Sequence, residues 1–296
     1  MMKSHSKRQA MGVMFTFPAL AISILFFVYP MVLTVRHSFT NWDGFSANAD
    51  FVGFRNFITV LSERSIKQVF SNTLYLAVLY IPVMNTLALL LAISIYNVSR
   101  LKNVYKAILY LPQMISLTVV GFVWRLIYAY DGGLLNRAFT SIGMSFLVQD
   151  WLGQKSTVLP AMSVTIIWSA LGYFTLIYLA GLNAIPIQLY ESAEVDGVGA
   201  FKKLFHITIP MLAQAITINI TLSAIGILAL FDIPYVLTKG GPGYLSETLA
   251  LRVYTYAFAK LRVDYGLASA VMLGVISIST TLIILKLLRR REAVYS

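Results

Sequence analysis

ESAEVDGVGAFKKLFHITIP, residues 191–210, is the polar stretch around which the chain is organised. It lies between two long apolar segments, and its polarity suits neither lipid nor a buried core. Pro186 can open a helix, because a first-turn proline forfeits no intrahelical bond. Residues 187–195 then give about two turns. Asp196-Gly197 is a turn pair, and Gly197 can take the left-handed backbone that ends a helix. Gly199 restarts the chain. Phe201, Leu204, Phe205 and Thr208 fall on one face of a second short helix, while Lys202 and Lys203 point elsewhere. Pro210 marks the entry into the next apolar run. Such a helix–turn–helix is either a docking knob for a partner or an amphipathic loop lying on lipid headgroups, and spacing alone leaves both open.

The apolar segments on either side set the class. The chain has 296 residues, 58% hydrophobic and 12% charged, whereas an ordinary soluble domain is about 25% charged. A polytopic membrane protein follows. The net charge of +11 comes from basic residues scattered among apolar spans. Cytoplasmic loop bias explains them better than nucleic acid, which is not expected as a partner. There is no cysteine, so disulfides, a thiol nucleophile and a thiolate metal site are excluded. His5, His37 and His206 stand far apart, and no metal site is expected.

Residues 157–182 precede the polar stretch and residues 211–237 follow it. They are the fourth and fifth of six expected spans, the others being 11–35, 71–96, 107–127 (broken near Pro112) and 265–288. The first follows Lys3, Lys7 and Arg8 and is long enough to cross ~30 Å of hydrocarbon. It lacks the short core and small-residue site of a cleaved signal peptide, so it reads as a retained helix. Pro18 and Pro30 are tolerable in a membrane helix whose neighbours satisfy the freed carbonyls. The short flanking segments carry the basic bias: the first ten residues, Arg100, Lys102 and Lys106, and the run from Lys286 to Arg291. All of these would lie inside. The longer loops 37–70, 128–156 and 238–264 then lie outside, and the polar stretch at 191–210 lies inside. The expected organisation is therefore all-α: a cytoplasmic N-terminal segment (1–10), a transmembrane domain (11–288) with the inside loop 183–210 between the fourth and fifth helices, and a cytoplasmic tail (289–296).

No phosphate-cradling G-x-x-x-x-G-K-[ST] loop is present, and Gly240-Gly241-Pro242-Gly243 reads as a turn. No catalytic triad or paired-carboxylate arrangement stands out. Glu191, Glu194 and Asp196 cluster on a loop facing cytosol rather than a pocket, so no catalytic residue is expected. Asp232 falls within the fifth expected span, where an acid costs roughly 2.5–3.5 kcal/mol on insertion scales. It faces a pathway or is wetted near the outer end. Asn85, Asn219 and Thr221 read as helix–helix hydrogen bonders. Trp168 and Gly172 share a helix face beside Tyr173. A small residue among aromatics makes either a slot for the C–H face of a sugar or ordinary packing. Trp124 and Arg125 read as anchors at the outer interface.

The polar stretch also resembles the EAA motif of bacterial ABC importer permeases, in which E-A-A is followed by a spaced G and then I-x-L-P. Glu191, Ala193, Gly197, Ile207 and Pro210 match in order, while Ser192 and Ile209 depart mildly. SFTNWDG (38–44), FVGFRNF (51–57), YLPQMIS (110–116), VGFVWRLIY (120–128), LAGLNAIPIQLYESAEVDG (179–197), FDIPYVLTKGGPG (231–243) and ETLALRVYTYAF (247–258) extend the likeness over nearly the whole chain. The chain resembles the carbohydrate-uptake branch, of the maltose F-subunit and glycerol-phosphate A-subunit type, without the extra N-terminal spans and large outer insertion of the former.

The resemblance implies a bacterial or archaeal plasma-membrane importer driven by ATP and magnesium on a separate subunit, with no cofactor on this chain. Its partners would be a second homologous permease, two ATP-binding subunits, an extracellular or periplasmic solute-binding protein and membrane lipid. Loop 183–210 would be the coupling helix, with Glu191, Ala193, Asp196, Gly197 and Phe201 in ATPase coupling. Gly172, Tyr173, Phe231 and Asp232 would fall near the sugar pathway. Di- or oligosaccharides are the expected substrates. Glycerol phosphate or a polyol is the alternative within the family, and an ATP-independent secondary transporter the alternative outside it.

Overall fold

The computed structural model describes residues 16–98 and 100–295. The expected N-terminal segment (1–10) and residues 11–15 of the first expected span lie outside the described residues. The chain divides into two compact units. One holds the described residues up to Glu63 together with Val253–Met272, and the other holds Arg64–Arg252 with the chain from Leu273 onward.

In the first unit, α1 (Thr16–His37) is apolar on every side and buries none of its most apolar stretch within this chain. A helix apolar all round belongs in lipid or against a partner. Pro30 has no N–H for the carbonyl four residues back, and a wide π-turn at Ile24–Val28 takes up the mismatch. Beyond α1 the loop is pinned by an antiparallel bridge between Thr40 and Phe51. Asn56, in the first turn of α2 (Arg55–Ser62), donates to the carbonyls of Ser38 and Thr40 at 2.9 and 2.8 Å. Asp43 accepts the N–H groups of Phe45 and Ser46 at 2.9 and 2.8 Å, closing the turn.

The second unit holds the core. Its frame is α3 (Ile66–Tyr96), α4 (Lys102–Tyr110), α5 (Leu117–Ile127), α6 (Leu134–Ser141) and α7 (Val158–Ala184). The most extensive helix contact is α3 against α7, through Leu76, Met84, Met162, Leu179 and Leu182, each 2% exposed or less. Polar groups join them: the Tyr178 hydroxyl donates to Asn85 Oδ1 at 2.8 Å. Next come α8 (Gln188–Val195), α9 (Ala200–Met211), α10 (Ala213–Leu228), α11 (Asp232–Thr238) and α12 (Leu249–Tyr254). The last helix, α13 (Val263–Tyr295), begins in the first unit and continues in the second. It therefore carries its helical backbone through the expected tail 289–296 as far as Tyr295.

Among the described residues four helices, α1, α3, α7 and α13, are each long and apolar enough to cross a membrane, and up to six crossings arise if each of two bent helix pairs is one span. The break expected near Pro112 in residues 107–127 is present, as a sharp turn between two helices. Pro112 lies in a 3-10 turn, Leu111–Met114, and Ile115 is extended. The chain then turns 92° into α5. The expected span 211–237 is likewise divided. α9 meets α10 at 70°, and α10 stops before Ala229, leaving Asp232 to start a separate helix. Breaks at membrane depth survive only where protein satisfies the freed backbone. Here the Thr248 hydroxyl donates to the Leu230 carbonyl at 2.8 Å, and both residues are buried.

Candidate functional site

The hairpin between α7 and α10 forms from short-range rules. α8 ends on Gly197, whose φ is +69°, a conformation only glycine takes at no steric cost. The Val198 N–H donates to the Ala193 carbonyl at 2.9 Å and the Gly197 N–H to Glu194 at 3.0 Å. This is the paired closure of a Schellman cap. Ala193 is buried beneath the turn at 6% exposure. α9 starts at Ala200 and widens into a π-turn at Leu204–Thr208. That turn rotates the face expected to hold Phe201, Leu204, Phe205 and Thr208. Thr208 is buried, while Phe201 is 76% and Phe205 48% exposed.

The hairpin base is tied by the Tyr190 and Thr208 hydroxyls, 3.0 Å apart. Across it Lys203 donates to Glu194 at 2.8 Å, and that hydrogen bond holds the Glu194 carboxyl below the usual carboxylate range. Glu191 and Asp196 are exposed. The tip presents Val195, 89% exposed, and the Phe201–Phe205 ring pair, 4.7 Å between centroids. A cleft of about 480 Å³ runs between the two short helices, lined by Leu189, Ala193, Asp196, Val198, Lys202 and His206. The hairpin is thus a capped and cross-tied helix pair with an apolar tip and charged flanks.

The expected pathway residues sit on α7 and at the start of α11, elements that pack against each other. Tyr173 is half-buried with its ring edge-on to Phe174, and Phe231 stacks on Tyr235 at 5.2 Å. Asp232 is half-buried in the first turn of α11, where the helix dipole favours an acid. Gly172 has a different occupation from an open slot. It is buried, and a Cβ there would collide with the Leu109 carbonyl, so it lets α7 cross the backbone of α4. Trp168 packs edge-to-face on Trp124 at 5.7 Å. Asn85 donates to Ser223 at 3.1 Å and Asn219 to the Phe174 carbonyl at 3.1 Å, as expected of helix–helix hydrogen bonders. Thr221 differs, because its buried Oγ1 has no hydrogen-bond partner among the described residues.

Sequence reasoning missed the ion pair in the segment between α11 and α13. Arg252 and Glu247 are 0% and 3% exposed and form a bidentate pair at 2.8–2.9 Å. Arg252 Nη1 also donates to Ser65 Oγ at 2.9 Å. Asn72 of α3 donates to the carbonyls of Tyr244 and Glu247 at 2.8 and 3.0 Å, and Thr73 Oγ1 accepts the Leu249 N–H at 3.0 Å. The available signal was an arginine inside LALRVYTYAF, an otherwise uncharged run.

Residues 84–293 match the family of binding-protein-dependent transport system inner membrane components. The chain belongs to this family. It is accordingly a membrane permease subunit of an ABC importer and not an enzyme. A probable ABC transporter permease, YurN of Bacillus subtilis, is 31% identical over 92% of this permease and 94% of its own length. The trehalose/maltose transport system permease MalF of Thermococcus litoralis is 31% identical over 98% and 97%. In fold the permease is similar to a chain of a bacterial ABC transporter involved in import of the acidic polysaccharide alginate. That chain is 23% identical with a TM-score of 0.84, covering 98% of both chains.

Proposed function

We propose that this permease conducts neutral di- or oligosaccharides inward across the plasma membrane. It works with a second permease, two ATP-hydrolysing subunits and an external solute-binding protein, and both of its termini face the cytoplasm. The observation that carries the coupling role is the hairpin. Its apolar tip, led by Phe201 at 76% exposure, rides on a base locked by Tyr190 and Thr208. A body of this kind transmits a push as a unit. Glu191, Asp196, Gly197 and Phe201 are the residues assigned to the ATPase contact, and Ala193 serves coupling from beneath by packing the turn; ATP and magnesium are held by that partner.

The sugar reading draws on the trehalose/maltose relative. It draws also on Tyr173, Phe231 and Asp232, which offer aromatic faces and a carboxylate from the packed pair α7 and α11, as a polyhydroxylated solute requires. Gly172 serves that site by setting the α4–α7 crossing. A phosphorylated substrate would want a cation near these residues, and the buried Arg252 is already held by Glu247 and Ser65.

The test is a screen of the cognate solute-binding protein against neutral oligosaccharides, polyols and glycerol phosphate, followed by uptake in proteoliposomes containing the assembled transporter. ATP-dependent uptake of an oligosaccharide, lost with Glu191→Lys, is the expected result. Uptake driven by a proton gradient without any nucleotide-hydrolysing subunit would overturn the proposal.

A further inference from the structure

A second cleft, of about 270 Å³, opens between α10 and the end of α13 and serves neither the hairpin nor the pathway residues. Gln214, Thr217 and Thr221 line one wall and Leu285 and Arg289 the other. The three α10 residues recur at helical spacing, so they form one polar stripe. It runs about 10 Å inward from the hairpin end of the helix. Thr217 is buried and its hydroxyl donates to the Ala213 carbonyl at 3.1 Å, so Gln214 is the exposed polar group of this wall. Thr221 Oγ1 is buried with no hydrogen-bond partner among the described residues. Ile218, 42% exposed, makes the floor apolar together with Leu285. Arg289 stands at the mouth, exposed, with Lys286 one turn before it.

We propose that this cleft binds one anionic phospholipid. The phosphate sits on the Arg289 guanidinium, which forms bidentate hydrogen bonds to such groups. The ester oxygens meet the exposed Gln214 amide, and an acyl chain lies along Ile218 and Leu285. A free phosphate would use Arg289 but leave the apolar floor uncovered, and a neutral lipid would use the floor but not the cation. Basic pockets between spans at the cytoplasmic face select acidic headgroups in this way. The hairpin follows α7 and leads into α10, so the cleft lies at the hairpin's end of the membrane. Only the choice of leaflet rests on the orientation proposed above. Lipid binding in detergent does not, so failure of one leaves the other standing.

The experiment uses the full chain purified in detergent with whatever subunits accompany it. Native mass spectrometry and thermal melts are recorded with phosphatidylglycerol, phosphatidylcholine or inorganic phosphate. Phosphatidylglycerol is expected to remain bound and to raise the melting temperature, phosphatidylcholine far less. Arg289→Gln weakens phosphatidylglycerol binding about tenfold, the scale of one charge-assisted contact; Arg289→Lys falls between it and the wild type, and Lys286→Gln keeps most of the binding. Ile218→Trp, which fills the floor, abolishes the lipid effect while leaving the lipid-free melting temperature unchanged. Equal binding of both lipids would overturn the proposal, as would equal stabilisation by phosphate alone. So would a cross-link from position 218 to a second permease chain, since a polypeptide would then fill the cleft.

Discussion

Arg252 donates to both carboxylate oxygens of Glu247, 2.9 Å from Nε to Oε1 and 2.8 Å from Nη2 to Oε2, with almost no solvent access to either side chain. A buried pair of this kind adds little net stability relative to apolar residues of similar volume, but breaking it strands a charge. Its place explains its use. The segment from Gly240 to Thr248 is irregular backbone, and Asn72 and Thr73 of α3 satisfy parts of it. Arg252 closes the set by reaching Ser65. Arg252→Met is expected to destabilise the chain by about 3–5 kcal/mol. The double variant Arg252→Met with Glu247→Leu should recover part of that loss. Denaturant unfolding in mixed micelles measures both, and a double variant less stable than either single one would contradict the account.

Gly197 lets folding and the proposed coupling be tested apart. Its φ of +69° excludes proline, and its N–H closes the α8 cap onto Glu194. Nothing lies within 4 Å of where a Cβ would stand, so Gly197→Ala carries only backbone strain of roughly 1 kcal/mol. Gly197→Pro removes the cap. Gly197→Pro is expected to leave membrane insertion and the melting temperature of the core nearly unchanged while reducing ATP-driven uptake at least tenfold. Gly197→Ala should fall between it and the wild type. Uptake assays beside melting curves decide the matter.

Tyr178 tests the polar seam of the core. Its hydroxyl donates to Asn85, which in turn donates to Ser223 of α10, so one chain of hydrogen bonds links α7, α3 and α10. Such bonds between membrane helices are individually modest. Tyr178→Phe should cost about 0.5–1.5 kcal/mol of unfolding free energy. Asn85→Leu should cost more, because it removes both the acceptor of the Tyr178 hydroxyl and the donor to Ser223. Unfolding in mixed micelles provides the comparison.

Asp43 supplies a pH signature outside the membrane. Backbone hydrogen bonds from Ser46 and Phe45 lower its pKa to about 2. A depressed carboxylate stabilises the folded turn fully above its unfolded pKa, near 3.9, and that contribution is lost as pH falls through about 2. Trp42 donates to the Ser46 carbonyl at 3.0 Å and stacks on His37 at 4.4 Å, so its fluorescence reports the turn. The difference in emission between wild type and Trp42→Phe should change between about pH 4 and pH 2. Asp43→Asn should remove most of that change.

Much of this architecture is written in short windows of the chain. Runs of apolar residues longer than the hydrocarbon is thick announce α1, α3, α7 and α13. The hairpin turn is legible because a Schellman cap involves only residues from Ala193 to Val198. What those windows cannot contain is the partner of a group whose match is distant in the chain. The 92° turn after Pro112 follows from a missing N–H, but its direction belongs to the packing around it. Asp232 leaves the fifth span because the Leu230 carbonyl finds Thr248. Gly172 is shaped by the Leu109 backbone rather than by its neighbours on α7. Arg252 reads as an intruder in an apolar run until Glu247 and Ser65 surround it. Local spacing decides where helices form, because capping and burial periodicity act within about four residues. The satisfaction of buried polar groups acts through space, so only the folded chain decides where the helices break and which charges survive inside.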